Sequence, residues 1–406
     1  MILANATVVE AAGRRDGLHL RLDGERIAEI ADRPLAGGGL PVLDLRGKTV
    51  MPGLIDCHVH AMALIADLQR LERLPMTYVT AHAAKILEAM LRRGFTTVRD
   101  AGGADWGLKE AVRLGLIAGP RLFIAGFALS QTGGHGDFRA PTTEVDACPC
   151  CSLRAGLARI ADGVTEVRRA ARDELRKGAD QIKVMASGGV ASPTDPIDNT
   201  QYSIEELTAI IEEARAWNTY VMAHAYTPKA IIRSVKCGVR TIEHANLIDD
   251  EAARVVAEHD AFVVPTLATY DALARFGRQY NFPEESLAKL GRVSEAGLRS
   301  LEICRRNGVR MGHGSDLLGD MHVHQGREFV LKGEVLTPAE VIAGATTVNA
   351  EILGKAGELG VVAVGALADL IVLDGDPLAD LALLGTDGPH LKAVIKGGSF
   401  AVNRLG

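Results

Sequence analysis

The stretch Met51-Pro52-Gly53-Leu54-Ile55-Asp56-Cys57-His58-Val59-His60 decides the fold of this 406-residue chain. Its apolar run after a Pro-Gly turn predicts a short buried strand. Alternation along an extended backbone places His58 and His60 on one face of that strand. Two neutral imidazoles at a strand end are a suitable first half of a site for a zinc-like cation. An H-x-H pair also occurs by chance on protein surfaces. Other residues of the chain are therefore needed to show whether this pair belongs to a metal site.

Composition narrows the class of protein. Apolar residues make up 47% of the chain and the net charge is −6, which predicts a substantial core and no electrostatic footprint for nucleic acid or an anionic membrane. No segment approaches the roughly eighteen apolar residues of a membrane span, and the first residues lack the basic and apolar regions of a signal peptide. We therefore expect a cytoplasmic protein that binds neither nucleic acid nor a membrane.

The cysteines give one motif. Six cysteines are too few for a disulfide scaffold in a chain of this length. Cys148, Cys150 and Cys151 form the only grouping, and the first and last of them have the C-x-x-C spacing of a structural zinc knuckle or a redox pair. No second half of such a site is present, so ordinary loop packing is the alternative and the role of the cluster is open.

Both ends of the chain alternate short apolar runs with turn residues, as antiparallel strands do. These runs are 6–9, 18–22, 26–30, 42–45, 365–375 and 391–398. The pattern occurs only at the two ends. We therefore predict that residues 1–53 and 357–406 together form a small β-sandwich module.

Strand and helix patterns alternate between these ends. The eight strand candidates are 54–58, 96–100, 121–126, 181–186, 220–225, 241–246, 262–266 and 309–316. Helical periodicity is found at 80–93, 164–177, 204–217, 228–237 and 249–258. Such repeats predict an α/β fold in which residues 54–356 form a (β/α)8 TIM barrel. A doubly wound open sheet is the alternative, although no glycine-rich nucleotide motif follows the first strand.

Polar residues mark the ends of the predicted strands. In a barrel these ends meet at one mouth, so residues far apart in sequence become neighbours. They carry four histidines, one lysine and one aspartate, namely His58, His60, Lys183, His224, His244 and Asp316. Any one of them could be an ordinary hydrogen-bonded residue. Their joint occurrence at matching positions of separate repeats predicts a shared metal site.

Lys183 is the unusual member of this set. An ammonium beside two cations is strongly disfavoured, and a buried lysine tends to lose its proton. A neutral lysine can react with CO₂, and the resulting N6-carboxylated side chain is a carboxylate that could bridge two metals. The alternative is that Lys183 neutralises Asp316 in a one-metal or metal-free site.

With these residues the chain resembles the amidohydrolase superfamily, in its binuclear branch with a carboxylated lysine. Within that branch, the chain is similar to bacterial Xaa-Pro dipeptidases of the prolidase type and to amidohydrolases that cleave ochratoxin-like N-acyl amino acids. The likeness is carried by His135-Gly136-Asp137-Phe138, the Cys-rich loop, 182–193, 224–226 and 315–319. The resemblance implies two divalent ions, expected to be Zn²⁺, held by His58, His60 and Asp316 at one site, His224 and His244 at the other, and carboxylated Lys183 between them.

Further roles are expected around these metals. Two metals can hold a bridging hydroxide, and Asp316 is the expected shuttle of its proton to the leaving nitrogen, with pure ligation as the alternative. By resemblance, the Tyr226 hydroxyl hydrogen-bonds the substrate carbonyl or the oxyanion, with packing as the alternative. His135 resembles a residue that helps to receive the substrate α-carboxylate. The backbone amides of Gly189 and Val190 could serve the same carboxylate.

The resulting hypothesis is hydrolysis of the amide bond to a C-terminal amino acid, in an Xaa-Pro dipeptide or an N-acyl-L-amino acid. Aryl-amide hydrolysis of the ochratoxin type and cyclic-amide hydrolysis are alternatives. A mononuclear deaminase would lack the bridging lysine, and a non-catalytic binding protein would have lost ligands. The resemblance also implies a homo-oligomer, with an octamer as one form.

Three histidines leave the specificity open. His313 stands where an apolar or aromatic residue is expected in prolidase-type relatives. His322 and His324 form a second H-x-H pair, but this pair follows a loop and not a buried strand. We expect His322 and His324 to be pocket or surface residues.

Overall fold

The structure is a computed structural model that describes residues 1–140, 142, 155–192, 195–280, 282 and 284–405. The cysteine cluster Cys148, Cys150 and Cys151 lies outside the described residues, so its role stays open. Within the described ranges, no helix combines the length and the apolar character that a membrane crossing requires.

The strands and helices of the described ranges are numbered in chain order. The strands are β1 (Ile2–Glu10), β2 (Gly13–Asp23), β3 (Arg26–Ala31), β4 (Val42–Asp44), β5 (Thr49–Pro52), β6 (Leu54–Val59), β7 (Phe95–Asp100), β8 (Arg121–Ile124), β9 (Ala128–Ser130), β10 (Ala158–Ile160), β11 (Ile182–Met185), β12 (Val221–Ala225), β13 (Thr241–His244), β14 (Phe262–Val264), β15 (Arg310–Met311), β16 (Leu370–Leu373), β17 (Leu391–Lys396) and β18 (Ser399–Asn403). The helices are α1 (Leu68–Leu71), α2 (Met76–Arg92), α3 (Trp106–Arg113), α4 (Gly163–Arg176), α5 (Ile204–Ala216), α6 (Pro228–Cys237), α7 (Asp250–Glu258), α8 (Leu267–Phe276), α9 (Glu284–Arg306), α10 (Arg327–Lys332), α11 (Pro338–Ala343) and α12 (Asn349–Ile352).

Strands from the two ends of the chain pair in one sheet. Its order is β18-β17-β16-β5-β1-β2-β3, and β4 also pairs with β1. The expectation of antiparallel pairing is wrong for part of this sheet, because β4 and β5 both run parallel to β1. After the β2–β3 hairpin, the chain forms β4 and β5 in the same direction as β1. The sheet therefore contains both parallel and antiparallel pairs. The sandwich and the domain boundaries stay predictions.

The middle of the chain contributes parallel strands. They form two sheets, of order β6-β7-β8 and β10-β9-β11-β12-β13-β14-β15. Backbone hydrogen bonds cross both gaps between these sheets, from Cys57 N–H to the His313 carbonyl at 2.8 Å and from Asp180 N–H to the Ile124 carbonyl at 2.7 Å. The predicted α/β class with parallel strands is confirmed.

Two details of the strands differ from the prediction. The short strands β9 and β10 were not predicted, since three-residue strands carry too little periodicity to be recognised. The candidate strand 309–316 is reduced to β15, of only two residues. Asp316 has a left-handed backbone with φ 51°, so the chain leaves the extended conformation before it reaches that residue.

Helices lie between the parallel strands, and local chemistry sets their ends. Thr227 caps α6 by accepting a hydrogen bond from the Ala230 amide, and Pro228 follows at the first helical position. Gly238 ends the same helix with φ 108°, which glycine adopts without strain. The predicted bounds 228–237 are therefore reproduced, because cap, proline and glycine are all visible in the sequence.

Gly53 is the single residue between β5 and β6, where the chain passes from the terminal sheet to the parallel strands. Its N–H donates to the Asp369 carbonyl at 2.7 Å. A Cβ at this position would collide with the buried side chain of Thr96. The close approach of the two segments therefore requires glycine.

Substitution Gly53→Ala should lower the free energy of unfolding by about 1–3 kcal/mol, because the added methyl overpacks the contact with Thr96. Gly291→Ala is the matched control, since nothing lies within 4 Å of a Cβ there and alanine favours an exposed helix by up to about 1 kcal/mol. Urea denaturation followed by circular dichroism measures both. Equal midpoints for the two variants would contradict the close packing of Gly53.

Candidate metal centre

Three of the predicted ligands meet at the carboxyl end of β6. The Nε2 atoms of His58 and His60 each lie 3.3 Å from Oδ1 of Asp316. The ligand atoms of the three residues all lie within 4.8 Å of one another. This is the spacing at which one cation can be held by several donors at once.

The other three predicted ligands line the same cavity. Lys183 lies in β11, His224 in β12 and His244 at the end of β13. The His244 ring centre is 4.9 Å from that of His58 and 4.6 Å from that of His224. The structure therefore brings all six predicted ligands together, through the carboxyl ends of four parallel strands and the loop after β15.

Each imidazole of the site has one nitrogen fixed by a hydrogen-bond partner, which leaves the other nitrogen for a metal. The fixed contacts are His58 Nδ1 to Glu243 Oε2 at 2.7 Å, His60 Nδ1 to the Gly102 carbonyl at 3.0 Å, His224 Nε2 to the Gly188 carbonyl at 3.1 Å and His244 Nδ1 to Thr266 Oγ1 at 2.8 Å. The opposite nitrogen of His58, Nε2, is buried and lies 3.3 Å from Asp316 Oδ1 without forming a hydrogen bond to it. A buried imidazole nitrogen that faces a carboxylate in this way fits a cation bound between the two.

Glu243 is the partner that orients His58, and it is itself held by an arginine. Its Oε1 atom accepts hydrogen bonds from the guanidinium of Arg99 at 2.9 Å and from the hydroxyl of Thr241 at 2.6 Å. Arg99 also donates to the Cys57 carbonyl at 2.7 Å. Burial alone would raise the pKa of Glu243, but Arg99 and His58 lower it to about 2. The carboxylate therefore stays ionised.

Burial lowers the pKa of three nitrogen donors of the cavity, Lys183, His224 and His244. It lowers the pKa of Lys183 to about 8, against the opposing charges of Glu243 and Asp316. Burial also lowers the pKa of His224 and of His244 well below the ordinary value. Neutral imidazoles and an accessible neutral amine are the forms that bind a metal and react with CO₂.

Two of the candidate ligands have strained backbones. His244 has φ 72° and Asp316 has φ 51°, in the left-handed region that side chains other than glycine rarely adopt. Each such residue costs about 1–3 kcal/mol, and such strain is concentrated at functional sites. In both cases the turn aims the side chain into the cavity.

His135, in the chain after β9, lies against the second half of the site. Its ring stacks on that of His224 with centres 4.1 Å apart. Its Nδ1 contacts the Ser192 hydroxyl at 2.8 Å, and Ser192 also hydrogen-bonds Asp195. Burial lowers the pKa of His135 to about 4. His135 is therefore placed to meet a bound molecule, and its role toward a carboxylate stays a prediction.

Tyr226 follows β12 and borders both His224 and His244, with ring centres 4.7 and 5.4 Å away. Its hydroxyl accepts a hydrogen bond from Tyr270 at 2.9 Å. Of the two backbone amides predicted to serve a carboxylate, that of Gly189 donates to Asp195 at 3.1 Å. The Gly189 amide therefore already has an acceptor within the protein, and the role of the Val190 amide stays a prediction.

The three further histidines have other surroundings. His313 packs between the rings of Phe95 and Phe329, and both its nitrogens are buried without hydrogen-bond partners. His322 is buried and lies 3.4 Å from the Ala63 carbonyl. His324 stacks on Phe276 with ring centres 4.7 Å apart. These contacts place the three imidazoles outside the cavity that the candidate ligands line.

Sequence reasoning did not single out Glu243, Arg99 or Tyr270. A signal existed for the first two, because a charged residue inside a predicted buried strand needs a partner. Glu243 precedes a predicted ligand directly, and Arg99 lies inside the candidate 96–100. Tyr270 carried no such signal, since its helix α8 was not among the predicted helices.

Known proteins share this architecture. The sequence model of the amidohydrolase family matches residues 49–399. Ochratoxinase from Aspergillus niger is 34% identical over 312 residues, which cover 74% of this chain and 65% of the relative. The chain thus spans 65% of the length of that curated relative.

Solved structures resemble the whole chain. A crystal structure of a prolidase complexed with N-methylphosphonate-L-proline is 54% identical, covers 98% of each chain and has a TM-score of 0.96. A crystal structure of an Xaa-Pro dipeptidase with bound methionine is 27% identical, also covers 98% of each chain and has a TM-score of 0.87. The predicted resemblance and the predicted hydrolase class are confirmed at the level of the family: this chain belongs to the amidohydrolase family.

Proposed function

We propose that this protein is a binuclear metal-dependent amidohydrolase that cleaves the amide bond to a C-terminal amino acid. The observation that carries the proposal is the convergence of four imidazoles, Lys183 and Asp316 on one cavity, each imidazole with one nitrogen fixed by the protein. Burying so many polar side chains in one place is unfavourable for packing alone, and a bound cation would compensate for that cost.

The donor set fits two divalent ions, for which zinc suits the imidazoles. His58, His60 and Asp316 would hold one ion, His224 and His244 the other, with carboxylated Lys183 between them. When bound, such ions supply a polarised substrate carbonyl and a water acidic enough to attack at neutral pH. The lowered pKa of Lys183 supports the carboxylation, because only the neutral amine reacts with CO₂.

The chain supplies the remaining steps. Asp316 is 19% exposed toward the cavity, so its carboxylate can accept the proton that the attacking water releases and deliver it to the leaving nitrogen. The Tyr226 hydroxyl is placed beside His224 and His244 to donate a hydrogen bond to the oxyanion. His135 meets the substrate α-carboxylate from the side of His224. An amide nitrogen leaves only when protonated, so the role of Asp316 is essential to the reaction.

Xaa-Pro dipeptides and N-acyl-L-amino acids are the proposed substrates, because the chain is 54% identical to a prolidase over nearly its whole length. Aryl-amide hydrolysis of the ochratoxin type is the second candidate. It is favoured by the bulky apolar side chains that line the cavity, among them Phe138, Leu157, Leu273 and Phe282, and by the likeness to ochratoxinase. Cyclic amides remain a third class for the same screen.

We also propose how the strands close and how the ends of the chain are arranged. We infer that residues 54–356 close into a (β/α)8 barrel, supported by the backbone bonds across both gaps between the parallel sheets. Residues 1–53 and 357–406 would form the β-sandwich module. The resemblance to this branch of the family also implies a homo-oligomer, with an octamer as one form, and we include that assembly in the proposal.

Metal analysis of the purified protein, combined with an amino-acid-release screen, tests the proposed function. We expect close to two zinc ions per chain and release of proline from Xaa-Pro dipeptides or N-acyl-prolines, abolished by a chelator and restored by zinc. Release only from aryl-acyl phenylalanine would favour the ochratoxin-type activity. Two metals with no release from any of these amides would contradict the substrate class.

The variant Lys183→Ala tests the carboxylated lysine. The hydrolytic activity of this variant should fall by more than the roughly 100-fold that is typical when a hydrogen-bond partner of a metal ligand is removed. A short-chain carboxylic acid such as propionate should restore part of the activity, because its carboxylate can replace the carbamate. The same acid should have no effect on the wild type or on His58→Ala, which are the controls. Unchanged activity in Lys183→Ala would remove the bridging role.

The variant Glu243→Gln tests the partner of His58. It should weaken zinc binding by about 10- to 100-fold and also lower stability, because Arg99 would lose its buried counter-charge. Glu328→Gln is the matched control, since Glu328 is equally buried and lies beside Lys332 at 3.3 Å, away from the candidate ligands. Competition with a zinc chelator measures the affinities, and equal affinities for the two variants would argue against the proposed role of Glu243.

A further inference from the structure

A second tyrosine lies behind Tyr226. Tyr270, in helix α8, is 3% exposed and lines the same cavity. Its hydroxyl donates the 2.9 Å hydrogen bond that Tyr226 accepts. Its ring lies 6.2 Å from that of Tyr226 and 6.3 Å from that of His244, in both cases edge to face. No step of the proposed reaction involves this residue.

The contacts of the Tyr226 hydroxyl determine where its proton points. A phenol has one O–H to donate and otherwise accepts. The Tyr226 oxygen accepts the hydrogen bond from Tyr270 at 2.9 Å. Because Tyr270 is the donor in this pair, the Tyr226 proton has no acceptor there and can be directed toward the cavity, which Tyr226 lines.

The direction of these hydrogen bonds can be traced back to a metal ligand. His244 Nδ1 lies 2.8 Å from Thr266 Oγ1. If His244 binds a metal through Nε2, its Nδ1 carries the hydrogen and must donate to Thr266. Burial raises the pKa of Tyr270 and Thr266 opposes that rise, as a hydroxyl directed toward the phenol oxygen would. The direction would then be the same at each step, from His244 toward Tyr226.

We propose that Tyr270 is a positioning residue, which orients the Tyr226 hydroxyl so that its proton faces the oxyanion of the transition state. This inference rests on the proposed function, in which Tyr226 is the oxyanion donor. A hydroxyl whose direction is fixed before the reaction does not have to reorient when the charge develops, and such preorganised donors stabilise the transition state more than the ground state.

A double-mutant cycle of Tyr270→Phe and Tyr226→Phe tests the inference. Tyr270→Phe keeps the ring and should lower kcat about tenfold, which corresponds to the net contribution of one hydrogen bond, with KM unchanged. The kcat of Tyr226→Phe should fall about 100- to 1000-fold, because this variant lacks the oxyanion donor itself. In the Tyr226→Phe background, Tyr270→Phe should have no further effect, because the residue through which it acts is absent.

A binding measurement gives a readout that does not depend on turnover. The tetrahedral analogue N-methylphosphonate-L-proline should bind about tenfold more weakly to Tyr270→Phe, whereas the affinity for proline should be unchanged. Tyr202→Phe is the matched control, since Tyr202 is buried, precedes α5 and has a hydroxyl without a hydrogen-bond partner. Metal content and thermal midpoint, measured for every variant, separate these effects from loss of metal or of fold.

Several outcomes would overturn the inference. Unchanged kcat and unchanged analogue affinity in Tyr270→Phe would exclude a positioning role, and so would an equally large loss in both backgrounds, which would indicate packing alone. Full activity of Tyr226→Phe would remove the oxyanion role of Tyr226 and with it that of Tyr270. The release screen and the zinc content would still report separately on metal-dependent amide hydrolysis.

Discussion

The hydrogen bond between Glu243 and His58 is the contact on which the site depends. Glu243 is fully buried, and it stays ionised because Arg99 and Thr241 hold its other oxygen. Arg99 in turn reaches the carbonyl of Cys57, the residue before His58. The contact therefore ties β6, β7 and β13 together and fixes the imidazole at the same time. Breaking such a buried pair costs about 3–5 kcal/mol, so the fold and the ligand geometry are coupled.

A second constraint is the burial of many nitrogen and oxygen donors in one place. The protein gives each imidazole a hydrogen-bond partner at one ring nitrogen, and the Nε2 atoms of His58 and His60 both face Asp316. The strained backbones of His244 and Asp316 add a further cost. A bound cation, as proposed, would offset these terms and stabilise an arrangement that is unfavourable for packing. The contacts beyond the ligands, between His244 and Thr266 and between Tyr270 and Tyr226, would take their direction from the same choice of imidazole nitrogen.

The sequence allowed the prediction of the parallel strands and of the residues at their ends, because His58, His60, Lys183, His224 and His244 follow apolar runs whose ends meet in this architecture. It did not allow the prediction of contacts that depend on register between strands. Glu243 and Arg99 lie on separate strands, and only their inward orientation makes them partners. The parallel course of β4 and β5 beside β1 also depends on pairing that no local pattern records. Tyr270 was missed because α8 follows a strand end without a clear periodic signal.

In our proposal, this cavity holds two metal ions with a carboxylated Lys183 between them. A crystal structure of the zinc-loaded protein grown with bicarbonate, with anomalous diffraction recorded at the zinc edge, tests it most directly. We predict two anomalous peaks, one beside His58, His60 and Asp316 and one beside His224 and His244, with electron density for a carbamate on Lys183 between them. A single peak beside His58, together with an unmodified lysine side chain, would contradict the account.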